Sequence, residues 1–88
     1  MDHLAVQKQI ENYLLKEFAF DRNEIGPEED LLNQGILDSI GILQLASFLE
    51  TTFNIEVDDN DIVIEHFRCL NTLAELVSQK SKKNGIPS

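Results

Sequence analysis

Near the start of the chain, Val6, Ile10, Leu14 and Phe18 recur at every fourth position with Tyr13 beside them, while Gln7, Lys8, Glu11 and Lys16 fall away from that stripe. The spacing predicts an amphipathic helix over residues 4–18. Residues 21–30 are charged and interrupted by Gly26 and Pro27, which predicts a long loop, with Leu31 and Leu32 pinning its end to the core. A second helical pattern runs over residues 39–53: Ile42, Leu45, Ala46, Leu49 and Phe53 share one face, and Ile40 and Leu43 lie nearer the other. Asn54 follows as a left-handed stop. Ile55, Glu56 and Val57 alternate like a strand, but so short a strand has no visible pairing partner, so an extended connector is expected.

Asp58, Asp59, Asn60 and Asp61 then offer N-cap oxygens and first-turn negative charge to a short helix through Ile62, Ile64 and Glu65, with Phe67 and Leu70 turning inward after it. Asn71 or Thr72 is expected to cap a last helix. There, Thr72-Leu73-Ala74-Glu75 matches a capping box and Leu73, Leu76 and Val77 form the buried stripe. Residues 80–88 read as a disordered tail. The expectation is an all-α fold, a small four-helix bundle of three main helices and a short third one, with a long loop after the first and a domain over residues 1–79.

Length and charge narrow the function. At 88 residues there is room for one core, and an apolar fraction of 42% with five Phe, one Tyr and no Trp makes it a modest one of Leu, Ile and Val. A formal net charge of -9 opposes binding to nucleic acid or to an anionic membrane and favours partners with basic surfaces. Cys69 is the single cysteine, so an internal disulfide is impossible and nothing ties the chain to an oxidising compartment. With no signal-like start and no apolar run of membrane-spanning length, a cytoplasmic monomer is expected.

The richest local pattern is Gly35-Ile36-Leu37-Asp38-Ser39-Ile40, in which a turn and two exposed-looking apolar residues feed an Asp-Ser pair into the second helix. An Asp or Ser at that point is an ordinary helix N-cap. The same geometry suits an anion, because unpaired N–H groups and the positive end of the helix dipole would favour a phosphodiester on the Ser39 hydroxyl.

This run, the Leu31-Leu32 and Gly35 positions ahead of it, the spacing from Ser39 to Phe53 and the pattern from Phe67 to Leu76 together resemble the acyl and peptidyl carrier proteins. The resemblance covers residues 6–77. It implies that Ser39 is esterified by 4′-phosphopantetheine, derived from coenzyme A, whose thiol carries an acyl or aminoacyl group as a thioester. It implies partners as well: a phosphopantetheinyl transferase, a ligase that loads the cargo, and downstream biosynthetic enzymes. Asp38, Ile40, Leu43 and Glu50 would then take part in partner recognition. The chain departs from the fatty-acid-synthesis members, which have acids early in the second helix where this chain has Gly41 and Gln44, followed later by Thr51 and Thr52. Its connector over residues 57–70 also reads as longer. Both departures point to a specialised, free-standing carrier.

A carrier needs no catalytic apparatus of its own, and the sequence contains no phosphate-binding Gly-rich loop, nucleophile elbow or paired metal-ligand motif. His66 and Cys69 are two ligands without a second pair, and the acidic run at residues 58–61 lacks the alternation and central Gly of a calcium loop. A small hydrolase acting through Ser39 lacks a credible base. The competing class is an unmodified acidic helical interaction module in which Asp38-Ser39 is only a cap.

Overall fold

The computed structural model describes residues 2–84, folded as four α-helices: α1 (His3–Glu17), α2 (Ser39–Phe53), α3 (Ile64–Phe67) and α4 (Leu70–Asn84). Strands are absent among the described residues. Val6, Ile10 and Leu14 of α1 meet Leu45 and Leu49 of α2, Phe67 of α3, and Leu73, Leu76 and Val77 of α4 in one core. These are the stripes that helical periodicity predicts, and burying them against one another is what stabilises helices too short to persist alone.

Capping sets the ends. Asp2 accepts the Leu4 N–H at 3.1 Å and opens α1. Asn54 closes α2 at φ 56° and ψ 52°, its N–H donating to the Glu50 carbonyl, as its type and position predict. The start of α4 differs from expectation. The helix begins at Leu70, so Thr72 lies within the first turn. From there its Oγ1 accepts the Cys69 N–H at 3.2 Å and reaches the carbonyls of His66 and Cys69, each at 3.0 Å. Thr72 thus ties α3 to α4 instead of opening a capping box with Glu75.

Two further expectations are corrected. The short helix does not run on from the acidic cluster: Asp59–Asp61 form a separate 3-10 turn, and α3 starts only at Ile64. Nor does order stop at residue 80, because α4 continues through Asn84; residues 85–88 of the expected tail lie outside the described residues. Lys80 lies inside this last helix. Its Nζ lies 2.6 Å from Asp61 Oδ2 and 3.7 Å from Asp58 Oδ2, clamping the 3-10 turn onto α4.

The clamp makes stability depend on pH with a definite sign. The hydrogen bond from Lys80 is the largest influence on Asp61 and holds its carboxyl below the usual aspartate range, while Asp61 in turn raises Lys80. Stability from Asp61 is therefore present above the ordinary aspartate value and is lost as pH falls through the lower, folded-state value. Stability from Lys80 is present below the ordinary lysine value and is lost as pH rises through the raised one. Asp61→Asn is expected to cost about 1 kcal/mol at neutral pH. Urea titrations should show the gap from the parent closing in strong acid, and a gap that stays constant there would rule out the ion pair as its source.

The loop between α1 and α2 crosses one end of the bundle and is strapped from several sides. Leu31 is fully buried, its N–H donates to the Arg68 carbonyl at 2.7 Å, and the Asn71 N–H donates to the Pro27 carbonyl at 2.9 Å. Arg22 pairs with Glu29, whose Oε1 also accepts the Gly26 N–H at 3.1 Å. The strap that periodicity could not anticipate is Glu11. Placed on the polar side by the sequence pattern, it is buried, and its Oε2 accepts the Ile25 N–H at 2.8 Å.

Candidate functional site

The start of α2 is built from the loop that precedes it. Gly35 takes φ +77°, a conformation that costs a side chain dearly, and reverses the chain after Gln34. The Leu31 carbonyl then accepts two N–H groups, from Ile36 at 2.9 Å and Leu37 at 3.1 Å. Both apolar side chains, which read as exposed in the sequence, are buried at 8% and 3% exposure. They are the anchor of the turn, and their burial forces the next residues outward.

Asp38 caps α2 as expected: its backbone is extended, its Oδ1 accepts the Gly41 N–H at 2.7 Å, and its carbonyl accepts the Ile42 N–H at 2.9 Å. Ser39 is therefore the first helical residue and not the cap. It is exposed, and among the described residues no side chain holds its hydroxyl. The amides of Ser39 and Ile40 have no helical carbonyl within reach, so the hydroxyl stands at the positive end of the helix. The surroundings leave room for a phosphodiester: an exposed oxygen on an anchored tip at the positive end of α2, with the neighbouring Asp38 carboxylate turned to the Gly41 N–H.

Around Ser39 the predicted recognition residues separate into two kinds. Ile40 and Leu43 stand in solvent at 67% and 59% exposure, without any role in the core. Glu50 is half-buried, and its Oε2 accepts the Val57 N–H at 2.9 Å, so it clasps the connector after α2. The same carboxylate expected to meet partners thus also holds the fold. Glu50→Ala is expected to cost about 1–2 kcal/mol by orphaning that amide. Hydrogen exchange at Val57 should accelerate in this variant and stay slow in Glu50→Gln, which keeps an acceptor; equal exchange in both would show that the clasp does not hold the connector.

Gly41 explains one departure seen in the sequence. A Cβ there would lie 3.1 Å from Asp38 Oδ1, 3.2 Å from Leu37 Cδ2 and 3.3 Å from Phe18 Cε1. The cap, the buried turn and the end of α1 converge on this point, so a side chain there would have to displace its neighbours by a few tenths of an ångström.

Sequence reasoning did not single out Val63 and Ile64, which lie exposed at 39% and 64% at the start of α3. Periodicity places Ile64 in the short helix, and the break after Asp61 leaves both residues facing outward. The two imidazoles are committed elsewhere. His3 Nε2 is 2.8 Å from Asn71 Oδ1 and 2.9 Å from Gln7 Nε2, and His66 Nδ1 is 2.8 Å from the Asp61 carbonyl. Cys69 is buried, with Sγ 3.7 Å from Thr72 Oγ1.

Comparison with known proteins agrees with this arrangement. The family described as "Phosphopantetheine attachment site" matches residues 8–77. The chain is 35% identical over 70 residues to the D-alanyl carrier protein of Streptococcus suis (strain 98HAH33), covering 80% of this chain and 87% of the relative. It is 30% identical over 76 residues to the D-alanyl carrier protein of Streptococcus uberis (strain ATCC BAA-854 / 0140J), covering 86% and 95%. Over 61 residues it is 30% identical to the acyl carrier protein of Syntrophobacter fumaroxidans (strain DSM 10017 / MPOB), covering 69% and 75%. An anchored turn, a capped helix and a free serine at its first position lie inside the matched region, and the chain belongs to the phosphopantetheine-attachment family of carrier proteins, whose prosthetic group is 4′-phosphopantetheine.

Proposed function

We propose that Ser39 is the attachment point of 4′-phosphopantetheine and that the chain is a non-catalytic carrier, a substrate of phosphopantetheinyl transferase and of the enzymes that load and use its cargo. The observation that carries this is the exposed, unengaged hydroxyl of Ser39 at the positive end of α2, held in place by the buried Ile36-Leu37 anchor and the Asp38 cap. The arm supplies a thiol that bears the cargo as a thioester. The chain's own residues contribute position. Asp38 orders the first turn, Ile36 and Leu37 immobilise the approach, and Ile40 and Leu43 give partners an apolar handle beside the modified oxygen.

Both histidines are hydrogen-bonded away from Ser39, which supports the assignment as a carrier and not an esterase. The cargo is a carboxylic acid activated as a thioester. Relatives named D-alanyl carrier protein favour an aminoacyl group and the acyl carrier relative favours a plain acyl chain. Partners with basic surfaces meet the acidic stretches at residues 21–30 and 56–65, where the carboxylates concentrate. Among the described residues no helix is long and apolar enough to cross a membrane, in keeping with a cytoplasmic, monomeric carrier whose domain extends past residue 79 to the end of α4.

The test is the intact mass of the purified chain after incubation with coenzyme A and a broad-specificity phosphopantetheinyl transferase, followed by peptide mapping. Gain of one phosphopantetheinyl group on the peptide containing Ser39 is the expected result. No gain with several active transferases would favour the unmodified interaction module.

A further inference from the structure

Phe18 packs beside Gly41 at the head of α2, and Tyr13 stacks on Phe48 further along it, so α1 and α2 run antiparallel. An open groove of about 420 Å³ lies between them, lined by Tyr13 and Glu17 of α1 and by Gln44, Ser47, Phe48 and Thr51 of α2. Its floor is aromatic: the Tyr13 and Phe48 ring centroids are 3.9 Å apart and the planes 15° from parallel. Its rim is polar, since Gln44, Ser47 and Thr51 are exposed and their side chains make no hydrogen bond to the described residues. Glu17 is exposed, and among the described residues no cation pairs with its carboxylate. That carboxylate still bears on the groove: burial, and then the charge of Glu17, raise the Tyr13 hydroxyl above the ordinary tyrosine value. A second hollow continues the furrow away from Ser39, where Lys16 and Thr52 join the shared Tyr13, Glu17 and Phe48.

We infer that the α1–α2 groove is a resting site for a small aminoacyl cargo: the Glu17 carboxylate receives the α-ammonium, Tyr13 and Phe48 flank the side chain, and Gln44, Ser47 and Thr51 hydrogen-bond the amides of the arm. This rests on the carrier role proposed for Ser39 and adds where the cargo lies and which chemical class it belongs to. Reach allows it. At a helical rise of about 1.5 Å per residue, Gln44 and Thr51 lie about 7.5 and about 18 Å along α2 from Ser39. The groove thus falls within the roughly 15 Å that an extended phosphopantetheine chain covers from phosphate to sulfur. So open a groove holds a free amino acid poorly, but tethering raises the local concentration enough for weak contacts to suffice. Charge complementarity selects the cargo, because a carboxylate beside aromatic faces suits an ammonium. A plain acyl group would leave Glu17 unmatched, and an acidic one would be repelled by it before reaching Lys16. Asp38 is exposed but sits at the root of the arm with Oδ1 on the Gly41 N–H, and Glu50 is turned to the Val57 amide, so neither carboxylate lies on the groove.

The experiment loads the full chain with coenzyme A analogues that bear an alanyl, propionyl or succinyl group through a stable amide in place of the thioester. A broad-specificity phosphopantetheinyl transferase attaches them, and intact mass verifies each loading. Proton–nitrogen correlation spectra are then compared with those of the chain bearing the arm alone, at about pH 6.5, where an α-amino group is protonated. The alanyl form is expected to displace the amide signals of Glu17, Gln44, Ser47 and Thr51 and to show Overhauser contacts from its methyl group to the Tyr13 ring. Displacement at Tyr13 and Glu17 should be about threefold smaller in the propionyl form, the loss expected for one exposed ion pair. Glu17→Gln should reduce the alanyl effect at Tyr13 by the same factor and leave the propionyl effect unchanged. Circular dichroism confirms that this variant is folded.

Equal displacements in the alanyl and propionyl forms, or an alanyl effect that survives Glu17→Gln, would overturn the ammonium site while the verified loading keeps the carrier role intact. Displacements confined to residues 36–43 would overturn it by placing the cargo outside the groove, and a largest effect from the succinyl form would overturn it in favour of an acidic cargo at Lys16. If no analogue is attached to the chain, the carrier assignment falls and this inference falls with it.

Discussion

Replacing Ser39 by alanine is expected to abolish attachment of the arm completely while leaving the melting temperature within a few degrees of the parent. The separation follows from the register of α2. Asp38 is the N-cap and accepts the Gly41 N–H, whereas Ser39 occupies the first helical position with an exposed side chain. Removing an exposed hydroxyl at that position costs less than about 0.5 kcal/mol, because no cap is lost and alanine is a good helix former.

Asp38→Ala should do the reverse in kind. It is expected to cost about 1 kcal/mol by uncapping α2 and to slow arm transfer in part, since the hydroxyl remains but its turn is loosened. Intact mass and thermal denaturation of the two variants together decide between the readings. A Ser39→Ala protein that still gains mass would put the attachment elsewhere. One that loses a full cap's worth of stability would show that Ser39 serves the fold and would revive the unmodified module.

The second large effect lies away from the site. Phe67, fully buried, is the largest side chain at the junction where α3 meets α4. Phe67→Ala should cost about 3–5 kcal/mol through lost burial and the cavity left behind. In a domain whose whole stability is about 5–10 kcal/mol, that is a loss of roughly 15–30 °C in melting temperature. Phe67→Leu, which keeps most of the volume, should lose far less.

Because Thr72 bonds across the same junction, the alanine variant should also release α3 and with it the outward placement of Val63 and Ile64. Thermal melts by circular dichroism supply the measurement. A shift below about 5 °C would mean that the junction repacks and that α3 is not held by Phe67.

Much of this architecture was legible in local pattern. The stripes Val6-Ile10-Leu14, Leu45-Leu49 and Leu73-Leu76-Val77 mark three helices because a residue's helical face depends only on its spacing from its neighbours. Asp38, Asn54 and Gly35 announce a cap, a stop and a turn for the same reason, each acting on backbone within a few residues. The position of Ser39 at the head of α2 therefore follows from the chain itself, as does membership of the carrier family through the positions that surround it.

What stayed hidden depends on contacts between distant segments. Glu11 falls on the polar side of α1 by periodicity and is buried only because the loop delivers the Ile25 amide to it, 14 residues on. Ile36 and Leu37 look exposed until the Leu31 carbonyl folds them under the turn. Glu50 reads only as a docking acid, and its bond to the Val57 amide, seven residues on, is invisible until the connector folds back. Lys80 reads as the start of a tail until Asp61 arrives beside it.

Local pattern was enough to set the three main helices, the Asp38 cap, the Asn54 stop and the place of Ser39 at the head of α2, since these depend on interactions spanning a few residues. Only the tertiary structure decided which carboxylates are free to meet a partner. A charged side chain's surroundings depend on what the rest of the chain brings to it, and here the one carboxylate of α2, Glu50, receives the Val57 amide from the connector.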